Sequence, residues 1–229
     1  EKKEKDEIHL LPDEDRTKGE TVSYLAVAPY DGYYEEISDT DARATVDGIS
    51  VSLKKGTLIY LRRGLNEIKS LTKTTLALKK TDNKSTVKEI TPYGFDLTET
   101  AVIRSDKYGN TYVDGISSKG GKASFKVNAS HSGDYRVTVT YANNSEGGVH
   151  DYNVDLIERY LTVENGGKTQ QIFFRNTFSK YNYKTVTFTL SLTKGENEVI
   201  FSNDGSSKFN NMESFAPFIK GVTVNEITL

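Results

Sequence analysis

Four short stretches in the second half of the chain set aromatic rings beside carboxamides and carboxylates. Asn143, Asn144 and Glu146 follow a strand that contains Tyr141, and Phe178, Tyr181, Asn182 and Tyr183 precede a strand that begins near Val186. Asn203 and Asp204, then Asn210, Asn211 and Phe215, lie ahead of the closing strand. A ring face packs on apolar C–H groups, and the neighbouring Asn, Asp and Glu satisfy hydroxyls. A ligand dense in hydroxyls needs both, because each buried polar group left unpaired costs about 1–3 kcal/mol. Each residue also has an architectural reading. Tyr141, Phe178 and Phe215 serve equally as packing aromatics, Asn143 and Asn144 as turn residues in left-handed conformations, and Asn203-Asp204-Gly205 as a simple turn. Tyr181 and Tyr183 are separated by one residue and would share a strand face, with one of them as platform.

Catalytic chemistry finds little support. The three histidines are His9 in a charged leader, His131 in a turn and His150 between turn signals, and none sits in a nucleophile or metal motif. The 32 carboxylates leave a pair at glycosidase spacing open on sequence grounds, but no deep cleft is expected from small sandwiches. Cysteine is absent, which removes disulfides and thiolate zinc sites. The net charge of −2 gives no electrostatic case for nucleic acid, and no apolar run is long enough for a membrane span.

The elements that must position these residues are announced by a repeat. Ala28, Gly32 and Tyr34 recur at identical spacing as Ala129, Gly133 and Tyr135; Leu61, Gly64, Asn66 and Glu67 recur as Leu192, Gly195, Asn197 and Glu198. Such self-similarity marks a duplicated structural unit. Between the two halves of the motif the second copy is roughly thirty residues longer, and insertions in a β-fold sit in loops, where binding residues concentrate. Gly32, Tyr34, Gly133 and Tyr135 themselves read as turn glycines and packed tyrosines.

Strand signals run throughout. Ile49, Val51 and Leu53 alternate with Ser50, Ser52 and Lys54, and Tyr135, Val137, Val139 and Tyr141 alternate with Arg136, Thr138 and Thr140. Asp31-Gly32, Asp47-Gly48, Gly147-Gly148 and Asn165-Gly166-Gly167 supply turns. Val154 to Leu161 also fits a helical face, and the flanking β-pattern favours strand. A hydrophobic fraction of 35% with fourteen Tyr and ten Phe suits sheets that are wet on one face. The sequence therefore predicts an all-β chain of two tandem antiparallel sandwiches, jelly-roll-like, the first short and the second full-length. Residues 1–20 form a charged linker or loosely attached strand, 21–90 the first module and 91–229 the second. The charge run Glu1 to Glu7 reads as a linker, which makes the chain an excised piece of a larger protein. A Cys-free chain rich in Lys, Asn, Thr, Tyr and Ser is compatible with a secreted or cell-surface bacterial protein.

From Leu97 to Leu229 the chain resembles the carbohydrate-binding modules of families 6 and 35, galactose-binding-like jelly rolls. The resemblance rests on Gly133-x-Tyr135-x-Val137-x-Val139-x-Tyr141-Ala142-Asn143, on Phe174 to Phe178, on Tyr181 and Tyr183, on Leu192 to Ile200, and on Ala216 to Ile219. The stretch through Glu146, His150, Tyr152 and Arg159 is similar to a subgroup appended to large secreted glycoside hydrolases. What the resemblance implies is non-catalytic binding of an oligo- or polysaccharide, galactose- or glucose-type, by loops at one sandwich edge, with the catalytic domain in the same parent chain. The residues it implicates are Asn143, Asn144, Glu146, Phe178, Tyr181, Tyr183, Asn210 and Asn211. It also implies a structural calcium ion, with Glu99 as ligand. Departures are the absence of Trp, the survival of one Glu where the family opens on a pair, and Lys220 where an Asp is common. Two other functions fit the same sequence: structural spacers or docking modules of a multidomain enzyme, and a surface adhesin fragment. The first module, without the inserted loops, reads as a spacer.

Overall fold

The computed structural model describes residues 7–10, 12–18, 21–83, 85–150, 153–156, 158–206 and 215–229, with the backbone alone for 13–18, 146–150 and 153–156. Asn210 and Asn211 lie outside the described residues, as does the Glu146 side chain. Among the described residues the only helical turn is the 3₁₀ segment Pro92–Gly94; everything else regular is antiparallel strand. Among the described residues no helix is long and apolar enough to cross a membrane. The ambiguous stretch resolves into strands Asn153–Leu156 and Arg159–Asn165.

The chain forms two compact units, residues 1–85 with 225–229, and Thr86–Val224. The first has two sheets. Strands Glu7–Leu10, Leu76–Lys80, Gly32–Glu36 and Leu58–Leu61 are neighbours in one. Pro12–Lys18, Thr21–Ala28, Gly64–Ser70, Asp41–Val46 and Ile49–Lys54 follow one another in the other. Inward residues of both sheets, among them Tyr24, Tyr34, Leu53, Ile59 and Ile68, share one core. In the opening stretch, expected as a linker or a loosely attached strand, residues 7–10 and 12–18 are edge strands, because Ile8 and Leu10 alternate with polar neighbours and Leu10 finds the core. The end of the chain also differs from a single continuous second module. Asn225–Leu229 belongs to the first unit, where Leu58 and Leu229 exchange backbone hydrogen bonds at 3.0 and 2.9 Å.

The larger unit stacks a six-stranded sheet on a five-stranded one. Val102–Ser105, Thr111–Asp114, Phe218–Glu226, Gly133–Ala142 and Lys184–Leu192 form the first, with Lys88–Ile90 also pairing with Phe218–Glu226. Asp96–Thr98, Lys122–Ala129, Gly195–Ser202, Arg159–Asn165 and Lys168–Phe174 form the second. Phe125, Val137, Val139, Leu161, Phe174, Phe201 and Ile219 fill the space between them. The insertion supplies the Arg159–Asn165 and Lys168–Phe174 strands and the separate hairpin of Glu146–His150 with Asn153–Leu156.

Both copies of the repeat do the same work. Ala28 pairs with Gly64 and Ala129 with Gly195; Gly32 pairs with Leu61 and Gly133 with Leu192. The Tyr34 hydroxyl donates to the carbonyl of Tyr30 at 3.0 Å, and Tyr135 donates to that of His131 at 2.9 Å.

Candidate functional site

The site grows from the ends of three strands of the larger unit. Gly133–Ala142 runs directly into Asn143, which is buried and holds the loops together. Its carboxamide nitrogen donates to the Phe174 carbonyl at 3.1 Å, and its carboxamide oxygen accepts from Ser145 N–H at 3.0 Å. Its own N–H donates to Thr177 Oγ1 at 3.0 Å, and its carbonyl accepts from Thr177 N–H at 2.6 Å. These bonds make Asn143 the clasp of the site, with its carboxamide turned to the loops rather than outward. Asn144, next in sequence, is exposed.

The clasp continues into the loop after Phe174. Asn176 donates through Nδ2 to the Ser145 carbonyl at 2.7 Å and accepts Phe178 N–H on Oδ1 at 2.7 Å. Arg159 donates from Nε to Ser145 Oγ at 2.7 Å, and its guanidinium lies 5.6 Å from the centre of the Phe215 ring. Burial pulls the Arg159 guanidinium below its ordinary value. Between these anchors Phe178 stands out, 73% exposed and at φ +64°. Left-handed backbone is a genuine outlier for a bulky residue, and it costs of order 1–3 kcal/mol that the surroundings must hold in place. The flanking Thr177, fully buried with its hydroxyl 3.1 and 2.8 Å from the Asn143 and Ser179 carbonyls and its one hydrogen shared between them, supplies that constraint.

Tyr181 and Tyr183 are placed differently from expectation. Both precede the Lys184–Leu192 strand, in a turn, so strand alternation does not govern them. They meet the Asp106–Asn110 turn, in which the Asp106 N–H donates to the Asn110 carbonyl at 2.9 Å. Tyr181 packs edge-on against Tyr108 at 5.2 Å between centroids, with Lys107 Nζ 4.9 Å from each ring and Lys180 Nζ 5.3 Å from Tyr181. Tyr183 donates its hydroxyl to Asp106 Oδ2 at 3.2 Å, beneath Lys220 Nζ at 4.6 Å from its ring. Lysines thus lie over the rings of both tyrosines. Burial, reinforced by the Asp106 charge, pushes the Tyr183 hydroxyl up to about 12. Burial also pushes the Asp106 carboxyl up. Hydrogen bonds from Asn110, from Tyr108 N–H and from the Tyr183 hydroxyl outweigh that and hold it below the usual range.

These shifts fix a pH window. The raised Tyr183 group stabilises the fold fully below pH about 10 and loses that contribution as pH rises through about 12. The lowered Asp106 group contributes above the ordinary carboxylate range and stops contributing as pH falls through its folded value. Ultraviolet titration should therefore show two tyrosinates, Tyr33 and Tyr183, appearing late, near pH 12, and Tyr183→Phe should remove one of the two. A Tyr183→Phe profile identical to the unaltered protein would show the assignment to be wrong.

Glu99 sits at φ +50° beside Gly120, with its neighbour Thr100 donating to the Gly115 carbonyl at 2.7 Å. Calcium takes six to eight oxygens, several of them carboxylates. Among the described residues no group of three His, Cys, Asp or Glu gathers anywhere. Around Glu99 the Gly115 carbonyl and the Thr100 hydroxyl bond each other, and Gly121 packs against both too tightly to admit a Cβ. With fewer than three acidic side chains gathered there among the described residues, a fold that depends on the ion is not expected. Chelation with EDTA should accordingly leave the melting temperature unchanged; a fall restored by calcium would overturn this.

No model of a known protein family matches the chain. Over 103 residues it is 28% identical to a 1,6-alpha-glucosyltransferase of Sporosarcina globispora, a match that takes in 44% of this chain and 7% of that enzyme's length. A family 35 carbohydrate-binding module from Clostridium thermocellum is 25% identical with a TM-score of 0.50, over 61% of this chain and 99% of the module. That share matches the length of Thr86–Val224. A cycloalternan-forming enzyme from Listeria monocytogenes is 21% identical with a TM-score of 0.48, over 90% of this chain and 19% of that one. The chain is similar in fold to the Clostridium module, in keeping with the Gly133–Asn143 and Leu192–Ile200 motifs that resemble the carbohydrate-binding modules of the family 6/35 type.

Proposed function

We propose that the larger unit binds a glucose-type glycan at this loop edge and keeps an attached glycan-active enzyme near its substrate. The observation that carries the reading is Phe178: an exposed ring held at a strained backbone angle by Asn176 and Thr177. Strain retained at an exposed aromatic has a functional explanation more readily than a folding one. Phe178 is the platform for a pyranose face, and Asn144 beside it meets hydroxyls. Glu146, Asn210 and Asn211 are proposed to complete the polar rim. The relative named as a 1,6-alpha-glucosyltransferase supports an α-glucan over a galactose-type ligand. The parent chain is proposed to be a secreted bacterial enzyme, with the first unit as spacer.

The gain from such a module is effective concentration at the substrate. A glycan array probed with the folded chain should give signal confined to one neutral sugar class. Deleting the module from its parent should slow action on insoluble glucan and spare small soluble substrates. Silence across the array from folded protein, or loss of turnover on a small soluble substrate, would sink the targeting reading and leave the spacer reading in its place.

A further inference from the structure

The repeat supplies an internal comparison for the outer face of the first unit. Ala26, Ala28 and Ile68 point into the core, so Leu25, Val27, Leu65 and Glu67 project from the opposite face of the five-stranded sheet. Val27 pairs with Leu65 and Leu25 with Glu67, in the same register that pairs Asn128 with Glu196 and Lys126 with Glu198 in the larger unit. The turns that end these strands are also built alike. Arg63 N–H donates to Asp31 Oδ1 at 2.7 Å where Lys194 N–H donates to Ser132 Oγ at 2.8 Å. The solvent-facing side chains differ. The larger unit carries Asn128, His131 and Glu196, all exposed, with Lys126 Nζ 2.9 Å from Glu196. At the same positions the first unit carries Val27, Tyr30 and Leu65, which are 65, 67 and 49% exposed. The fold therefore forms without apolar residues here. Exposed apolar side chains scattered singly are ordinary, but cross-strand neighbours lie about 5 Å apart, and a contiguous patch marks a contact surface.

Charge complementarity points to the occupant of this face. Along Gly64–Ser70 and the turn before it, Arg63, Leu65 and Glu67 follow at two-residue steps as a cation, an apolar side chain and an anion. Arg63 is exposed, and its guanidinium makes no ion pair among the described residues. Glu67 is half-buried, with Lys69 at 3.2 Å. A two-fold axis laid across the strands at the Val27–Leu65 pair reverses the strand direction. It sets Leu65 on Leu65 and Val27 on Val27, brings Arg63 to the partner's Glu67, and turns the Tyr30 loop toward the partner's Leu25. A surface that complements itself in both charge and apolar content is what an isologous pair requires.

We propose that two copies of the chain pair through this face of the first unit, so that each assembly carries two of the larger units. The apolar patch is small against the roughly 800 Å² per partner of a standard interface. The pair is accordingly weak, with a dissociation constant on the order of tens of micromolar. The consequence for function rests on the glycan reading above. Chains gathered on a polymeric glycan are locally concentrated, and two linked binding units then raise avidity without any new contact to the sugar. The first unit is in that case the dimerisation element of the chain.

The test is sedimentation equilibrium of the full chain from about 1 to about 500 μM, a range that brackets the expected constant. The average mass should climb from monomer toward dimer across it. Leu65→Glu and Val27→Asn install the residues that the larger unit carries at these positions. Each should keep the melting temperature and weaken pairing at least about tenfold. Arg63→Glu and Glu67→Arg should each weaken it as well. Mixed together, those two variants should pair with each other better than either pairs with itself, because a two-fold contact sets the new charges opposite one another. An unaltered chain that stays monomeric throughout overturns the proposal and leaves this face to another domain of the parent chain. Pairing that survives both Leu65→Glu and Val27→Asn overturns it too, as do folded charge variants that ignore each other. None of these outcomes bears on the glycan reading, which the array decides separately.

Discussion

Replacing Phe178 with alanine is expected to weaken glycan binding at least about thirtyfold without lowering the melting temperature. A central aromatic anchor is worth about 2 kcal/mol or more on truncation, and each 1.4 kcal/mol is about tenfold in affinity. The ring is largely exposed, so little packing is lost. Phe178→Gly sharpens the test because it separates binding from folding. At φ +64° glycine has no Cβ penalty, so the glycine variant should melt above the alanine variant and above the unaltered chain, yet bind no better than alanine. Opposite movements of stability and affinity at one residue are the signature of strain kept for function. A glycine variant that binds normally would remove Phe178 from the site, and one that melts lower would show that the backbone angle is not strained.

Much of the scaffold could be read before any coordinates, and the reasons are local. Alternation from Tyr135 to Tyr141 fixes which residues face the core, because side chains in a strand have a period of two. The paired glycines of the repeat mark turns because only their backbone reaches those angles cheaply, as at Gly64 (φ +96°) and Gly195 (φ +98°). The site was legible as a set of loops and illegible as a set of contacts. Asn143 and Asn144 are the same residue type side by side, and what separates clasp from rim is a bond to Phe174, 31 positions away. Tyr181 and Tyr183 carry a two-residue spacing that belongs to strands, but a turn overrides it, and their partners Asp106 and Tyr108 sit more than seventy residues earlier. Arg159 and Asn176 act through Ser145 and Phe178, which no spacing rule connects.

The repeat itself misleads at one position. Glu36 and Val137 are equivalent, each in the strand two residues after the conserved tyrosine, and both are buried. Valine there is ordinary core. Glu36 turns one carboxylate oxygen to Ser38 N–H at 2.8 Å and to the Ser38 hydroxyl, while Oε2 has no partner among the described residues. Duplication thus preserved the strand and its register and not the chemistry of every inward position. A core list copied from one module to the other would have placed an apolar residue where a carboxylate is buried.

Where duplication did preserve chemistry, the expected cost of breaking it is large. Asn197 is buried and makes four hydrogen bonds within its own turn. It donates to the Thr193 and Gly195 carbonyls at 2.7 and 2.9 Å, and accepts from the Thr193 N–H and hydroxyl at 2.9 and 3.2 Å. Asn66 repeats the arrangement with the Arg62 and Gly64 carbonyls at 2.8 and 3.1 Å and the Arg62 N–H at 3.1 Å. Alanine at either position strands two carbonyls and an N–H, each worth about 1–3 kcal/mol if water cannot reach it. Partial hydration of the turn reduces the total, so about 3 kcal/mol is expected for Asn197→Ala, a large part of a domain's stability. Asn197→Asp keeps the acceptor but sets a negative charge against two carbonyl oxygens, so it should rescue little. Denaturant unfolding of the two variants decides the point. A loss under about 0.5 kcal/mol for Asn197→Ala, the range of ordinary surface changes, would mean the shared asparagine is a relic of duplication and not the clip that closes each sandwich.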